Sequence, residues 1–505
     1  MSDPGTTETA APSSEQTWQR LDGRAVHVAA VLGAGVAISA GVPTVFGIAS
    51  GWSVLTALAW VVPAAVLLVA AAALLEYVRW RRTQYRVGVE RAELHTGVLV
   101  LHRRSLKRER IRSVDLTANP LLRLFGLVAV KIGTGEHADA GEGTLTLSPV
   151  TRAEGERLRL ELLPGQRGEA DGTLAVLDPA WIRYAPISFL APTLGLAAGG
   201  AAMQVSEWFT LQDELIHWVR DRFAGFPLVG AILVLVALLG VLGVIGSLGL
   251  FVEMWWNYRL DREPGTLRVR RGLFTTRSIS IEERRLRGVD VVEPLGARLV
   301  GAARVDAIAT GLVRQKEDEK TDHKVLLPPA PKEVADRIAA AVLREKVAPT
   351  AAAQLTPHPR AALGRRLRIS LAMAVLPVAV LAVLGVWLTS VLIQLAVILA
   401  VLLLPAAILL ARDSYRALGH GITGNYLVTR SGTIRRSTAA LRRDGVLGWR
   451  VRQTVFQRRR GLATFSAITA AGSGAYSARD ADATEGLDFA RDAVPGLLEP
   501  FVEPG

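Results

Sequence analysis

The chain of 505 residues contains no cysteine, only 4 methionines, and few aromatic residues, which make up 6% of the total. Without cysteine there is no disulfide framework, no thiolate metal site and no cysteine nucleophile. Charge is also scarce: 21% of residues are charged, against 50% that are hydrophobic. That balance is the reverse of a disordered chain. In four stretches Asp, Glu, Lys and Arg are missing altogether: 25–75, 184–206, 223–252 and 369–411. A helix needs roughly 20 apolar residues to cross a bilayer. The first and last stretches each hold two crossings, with turns at Gly51-Trp52-Ser53 and Thr389-Ser390, and the middle two hold one each. The expectation is six transmembrane helices arranged as three hairpins.

Signatures of catalysis are missing too. There is no Gly-x-x-x-x-Gly-Lys-[Ser/Thr] and no Gly-x-Ser-x-Gly, and the eight histidines are scattered without ligand spacing. Gly419-His420-Gly421-Ile422-Thr423-Gly424 matches Gly-x-Gly-x-x-Gly, but an apolar span precedes it and a strand-like run follows. A dinucleotide site needs a strand before and a helix after, so this segment reads as a flexible membrane-exit loop. No enzyme, metal or cofactor is expected. The spans hold no charge, so a transport path lacks polar lining. A transporter or export-complex component is therefore the second reading.

What is present is basic charge at the span ends. The formal net charge is +13, which suits an anionic membrane or a nucleic acid; the apolar stretches decide for the membrane and against nucleic acid. Arg20 and Arg24 precede the first hairpin, and Arg79, Arg81 and Arg82 follow it. Arg365, Arg366 and Arg368 precede the third, and Arg412 and Arg416 follow. By the positive-inside rule both termini and all large polar segments face the cytoplasm. The outer loop 207–222 carries Trp208, Leu211, Leu215, Trp218 and Val219 at helical spacing and reads as an interfacial helix capping the bundle.

The polar segments repeat. Each opens on Tyr-Arg (Tyr85-Arg86, Tyr258-Arg259, Tyr415-Arg416) and has a glycine (Gly97, Gly272, Gly432) followed 29 residues later by another (Gly126, Gly301, Gly461). Arg123, Arg298 and Arg458 stand three residues before the second glycine, and Ile111, Leu286 and Val446 stand 14 after the first. A further glycine follows at Gly135, Gly311 and Gly472. One unit of hairpin plus soluble domain is thus present three times. Alternation in Leu267-Arg268-Val269-Arg270 and Thr144-Leu145-Thr146-Leu147 marks half-buried strands. Helical patterns at 150–163, 331–346 and 484–502 close the units. Each unit reads as a small antiparallel sandwich or barrel with a C-terminal helix.

These features resemble the bacterial pleckstrin-homology (PH) membrane proteins of the YdbT type. The resemblance is carried by paired spans, Tyr-Arg, a strand ending near Gly, the steps Arg110-Ile111 and Arg285-Leu286, and the run Leu295-Gly296-Ala297-Arg298-Leu299-Val300-Gly301 with its counterpart Leu121, Leu124 and Gly126. The third copy departs, with Asp444-Gly445 at the Arg-aliphatic step and the basic run Arg458-Arg459-Arg460. The resemblance implies a PH-like antiparallel β-barrel capped by a C-terminal helix after each hairpin, and no reaction. It also implies a smaller single-PH membrane protein as partner, and a link to envelope protection against antimicrobial peptides.

The expected layout is a polar tail (1–24), hairpin 1 (25–75), PH-like domain 1 (76–165), a linker (166–183), helices 3 and 4 with the outer segment (184–252), PH-like domain 2 (253–346), a linker (347–368), hairpin 3 (369–411) and a divergent PH-like domain 3 (412–505). Candidate contacts to anionic lipid or a partner are Arg79, Arg81, Arg82, Arg103, Arg104, Arg270, Arg271, Arg365, Arg366, Arg435 and Arg436. Acidic loops at 136–142 and 317–322 would face away from lipid or toward a basic partner. The functional expectation is a non-enzymatic multi-pass scaffold whose three modules act together through avidity.

Overall fold

The computed structural model describes residues 18–49, 51–97, 101–111, 113–133, 144–162, 172–187, 190–208, 211–223, 228–311 and 324–498. Gly135 and the acidic loops at 136–142 and 317–322 lie outside the described residues. Five described helices are long and apolar enough to cross a membrane: Ala25–Ala49, Val54–Arg82, Leu233–Trp255, Arg360–Trp387 and Ser390–Arg416. Small polar residues start two of them. The Ser53 hydroxyl accepts from the Thr56 backbone N–H at 3.2 Å, and Thr389 accepts from that of Val391 at 3.3 Å. Each satisfies a helix-start donor where the chain reverses.

The remaining expected span falls on the helix Leu190–Trp208, 19 residues long and not among the five. Gly195, Gly199, Gln204 and Glu207 dilute its apolar character. It packs closely on the following helix. A Cβ at Gly195 would lie 2.1 Å from the Leu239 carbonyl oxygen, and one at Gly243 2.0 Å from that of Ala191. The Gly195-x-x-x-Gly199 pair therefore serves a contact inside the chain. The stretch expected as an interfacial helix, 207–222, holds the helix Gln212–Phe223.

The chain folds as two compact units, the first built on the hairpin Ala25–Arg82 and the first repeat, the second holding the other two repeats. In the first unit, the strands Gln19–Arg20, Gln84–Val87, Arg91–Thr96 and His102–Lys107 form one antiparallel sheet. The strands Ser113–Ala118, Leu127–Gly133 and Thr144–Thr151 follow, then the helix Arg152–Leu162. Leu94, Leu106, Val114, Val130, Leu147 and Leu158 meet in one core. The same order recurs twice. The second repeat runs through Arg259–Glu263, Thr266–Arg271, Thr276–Glu282, Leu286–Pro294, Ala302–Ala309 and Val325–Pro331 to the helix Lys332–Leu343. The third runs through Gly419–Thr423, Tyr426–Ser431, Arg435–Arg442, Gly448–Arg452, Leu462–Ile468 and Ala475–Asp482 to the helix Ala483–Ala493. The repeat glycines share a conformation that side chains disfavour. Gly97, Gly272 and Gly432 have φ of 144°, 112° and 105°, while Gly126, Gly301 and Gly461 have 70°, 69° and 65°.

Nothing in the sequence pattern points to how the second and third repeats join. Leu286–Pro294 ladders with Ala302–Ala309 on one side and with Arg435–Arg442 on the other, in the register Gly288↔Leu441 to Pro294↔Arg435. Two modules thereby share one six-stranded antiparallel sheet. Gly288 permits this approach, since a Cβ there would stand 1.9 Å from the Ala440 carbonyl oxygen.

Acidic groups sit in this seam. Asp306 is buried and takes Arg304 at 3.0 Å, Arg435 at 3.3 Å and Lys324 at 3.5 Å. Asp290 accepts from the Ser437 hydroxyl at 2.6 Å. Burial, and then the nearby Asp306 carboxylate, push the Asp290 carboxyl up to about 6. A raised folded-state value means that the group favours the fold when protonated, so its contribution is lost as pH rises through about 6. Asp290→Asn keeps the acceptor for Ser437 and removes the titration. We expect it to raise thermal stability at pH 8 by about 2–3 kcal/mol and to be neutral below pH ~4. Thermal unfolding of the full chain across pH reads this out, and a variant whose pH dependence matches wild type removes Asp290 from the account.

Candidate anion-binding site

The arginines picked out by sequence separate into distinct environments. Arg79 pairs with Glu76 at 3.3 Å, Arg81 lies 5.9 Å from the Tyr77 ring centre, and Arg82 ends the same helix. Arg103 and Arg104 are exposed on the strand His102–Lys107, with Arg104 donating to the Thr144 carbonyl at 3.3 Å. Arg123 lies in the short helix Pro120–Leu124, and Arg458 is exposed at the end of the turn Val455–Arg458. Arg270 bonds Asp261, and Arg271 is buried against the Trp255 ring at 4.4 Å. Three others meet carboxylates at the seam between the second and third modules, two of them across it. Arg298 pairs with Asp413 at 2.8 Å, Arg436 with the same carboxylate at 3.5 Å, and Arg435 with Asp306.

Arg365 and Arg366 converge on a pocket. Both lie near the start of the helix Arg360–Trp387, and both reach Asp480. Asp480 owes its position to a β-bulge. Ala463 pairs with Ala481 and Phe465 with Ala478, so Arg479 and Asp480 together oppose Thr464. The first two repeats bulge at the same place, where they carry Ser148-Pro149 and Pro328-Pro329. In the third, Arg-Asp replaces proline. Asp480 has φ of 59°, a left-handed conformation that Asp tolerates better than most residues.

The carboxylate is 1% exposed. Arg365 donates to both of its oxygens, at 2.9 and 3.1 Å, Arg366 donates at 3.2 Å and the Gln457 amide at 2.7 Å. Arg366 also bonds the Ser414 hydroxyl. Behind this group, His358 Nδ1 lies 3.1 Å from the Asp480 carbonyl oxygen, and its Nε2 lies 3.0 Å from His420 Nδ1. A carbonyl only accepts, so His358 Nδ1 carries the proton and His420 Nδ1 donates onward. Burial, then the neighbouring His358, push His420 down to about 4, and burial also lowers His358. Both rings are therefore neutral near pH 7.

In front of Asp480 opens a pocket of 430 Å³ lined by Arg365, Arg366, Ser370, Arg452, Arg479 and Gln457, among others. Among the described residues, neither Arg452 nor Arg479 has a carboxylate partner. Four guanidinium groups thus line one recess, and two of them are paired with its carboxylate. Such forks match phosphate or carboxylate oxygens in a fixed, bidentate geometry. Neither histidine lines the pocket, and among the described residues no group of three His, Asp or Glu could hold a metal ion. The chemistry on offer is anion binding.

Sequence reasoning flagged Arg365 and Arg366 as membrane-flanking charges but missed Arg452, Arg479 and Asp480. The available signal was the Arg-Asp pair where the other copies carry proline. The Gly-x-Gly-x-x-Gly segment also differs from the expected loop. It is the strand Gly419–Thr423 and a tight turn, with Thr423 paired to Tyr426 and no helix after it. Alternation of Gly with buried His420 fits a strand packed on Leu355 and Phe489.

Three stretches of the chain, residues 33–164, 214–346 and 371–491, match the Bacterial PH domain family. The chain is 23% identical over 420 residues to the UPF0699 transmembrane protein YdbT of Bacillus subtilis (strain 168), an alignment spanning 77% of this chain and 80% of that one. No solved structure matches. With glycine turns and bulges recurring in register through all three matched stretches, this membrane protein belongs to the Bacterial PH domain family and carries its unit three times.

Proposed function

We propose that the chain is a non-enzymatic, multi-pass scaffold of the bacterial cytoplasmic membrane that holds three PH-like modules against anionic lipid at the inner leaflet. In this reading six helices form three hairpins. Each hairpin is followed by a PH-like barrel capped by its C-terminal helix, with modules and termini in the cytoplasm. The observation that carries it is the four-arginine pocket, because two of its walls are the membrane-proximal turns of the helices Arg360–Trp387 and Ser390–Arg416. Arg452 and Arg479 would take the charge of a lipid headgroup, since Arg365 and Arg366 are engaged with Asp480. A role in envelope protection against antimicrobial peptides accords with a protein that gathers anionic lipid.

Each arginine facing an anionic leaflet contributes on the order of 1 kcal/mol. The double variant Arg452→Ser, Arg479→Ser should therefore weaken binding of phosphatidylglycerol by roughly 30-fold while leaving the Asp480 cluster intact. Titration of the purified full chain in neutral detergent with fluorescent phosphatidylglycerol, against phosphatidylcholine, measures it. Equal affinity of variant and wild type would remove the pocket from lipid recognition.

A further inference from the structure

The seam between the second and third modules has an unfilled counterpart. In the second module Leu286–Pro294 is paired on both sides. Its equivalent in the third module is Gly448–Arg452, since Leu286 and Val446 hold the same repeat position. Among the described residues this strand pairs only with Leu462–Ile468 and forms the edge of a three-stranded sheet. Gly448 stands where Gly288 stands. At Gly288 a Cβ would strike the neighbouring strand, whereas at Gly448 no atom lies within 4 Å of that position. The gap that admits a strand is kept where no strand sits. Leu447 and Val451 on this edge, and Val455 and Phe456 beyond it, are 65%, 51%, 66% and 65% exposed.

We propose that Gly448–Arg452 is a docking edge that takes an antiparallel strand bearing carboxylates from a separate polypeptide, by the mode that already joins the second and third modules. Strand addition satisfies the open row of backbone N–H and C=O groups, which a lipid surface would leave unpaired. The choice of an acidic partner follows from charge. In the existing seam the receiving strand carries Asp290 and Glu293, and the incoming one carries Arg435 and Arg436. At the open edge the polarity is reversed, because Arg450 and Arg452 replace Asp290 and Val292. A second copy of this chain is a poor occupant. Its exposed strand His102–Lys107 is the repeat equivalent of the incoming one, with Leu106 in the place of Leu441, and this register sets Arg104 against Arg450. Like charges directly opposed are destabilising, so the basic edge blocks self-assembly and selects an acidic strand.

The absence of cysteine makes disulfide trapping specific. A full chain carrying Val451→Cys is mixed in detergent with a differently tagged chain carrying Arg103→Cys, Arg104→Glu and Lys107→Glu, whose altered strand is the acidic probe. Residues 451 and 103 are directly opposed in the seam register, within disulfide reach. Under mild oxidation we expect about tenfold more crosslinked heterodimer than with a probe chain carrying Arg103→Cys alone. Adding Gly448→Val to the receiving chain should bring the yield back to background. Circular dichroism and elution volume confirm that this variant is folded. Equal yields with acidic and basic probes, or a yield indifferent to Gly448→Val, would overturn the proposal. So would background crosslinking while phosphatidylglycerol vesicles shield the introduced 451 thiol from a water-soluble maleimide, which would make this edge a membrane-contact surface instead.

Discussion

Replacing Asp480 with alanine should unfold the third module at temperatures where wild type is intact. The substitution leaves Arg365 and Arg366 facing each other in a largely buried setting and takes the acceptor from Gln457. Breaking one side of a buried charge cluster costs about 3–5 kcal/mol, mostly because the remaining charges stay desolvated. The left-handed backbone at this site adds to the penalty, as alanine tolerates it less well than Asp. Asp480→Asn should be milder, since Asn accepts such a φ and keeps one oxygen for Gln457. Differential scanning fluorimetry of the full chain, with limited proteolysis to locate the loss, measures both. Adding Arg366→Met to Asp480→Ala should recover part of the stability by removing a stranded charge. If the double variant is no more stable than Asp480→Ala, the cluster is not held by charge compensation.

Gly288→Ala should be nearly as damaging by a different route. Its new methyl would overlap the Ala440 carbonyl oxygen, a backbone atom held in the ladder, so the strands have to separate. Overpacking of this kind costs about 1–3 kcal/mol when side chains can adjust, and the upper end or beyond applies where backbone must move. Protease sensitivity should rise at the strand Arg435–Arg442. Gly448→Ala supplies an internal control, because the same substitution at the equivalent position meets open space and should change stability by less than ~0.5 kcal/mol. Similar losses at both positions would mean that the seam does not account for the effect at Gly288.

The contrast between these glycines shows what a sequence exposes and what it withholds. The glycines at 97, 272 and 432 and at 126, 301 and 461 were visible because a positive φ selects one residue type at constant spacing. Hairpins were visible because a bilayer needs long uncharged runs. The pocket was not, since its parts come from distant places in the chain: Arg365 and Asp480 are 115 residues apart, and Arg366 and Asp480 are 114 apart. Arg435 and Arg436 read as contacts to lipid or a partner because the carboxylates they meet, Asp306 and Asp413, belong to other elements. An arginine paired across modules and one meeting a headgroup have the same local sequence. The one local clue to the pocket was the Arg479-Asp480 substitution within the bulge.

Asp413 gives the seam a mechanical meaning. It lies near the end of the helix Ser390–Arg416 and binds Arg298 of the second module and Arg436 of the third. With the shared ladder behind them, both modules are bolted to one rod. Any displacement of that helix would therefore act on both modules at once, through one carboxylate.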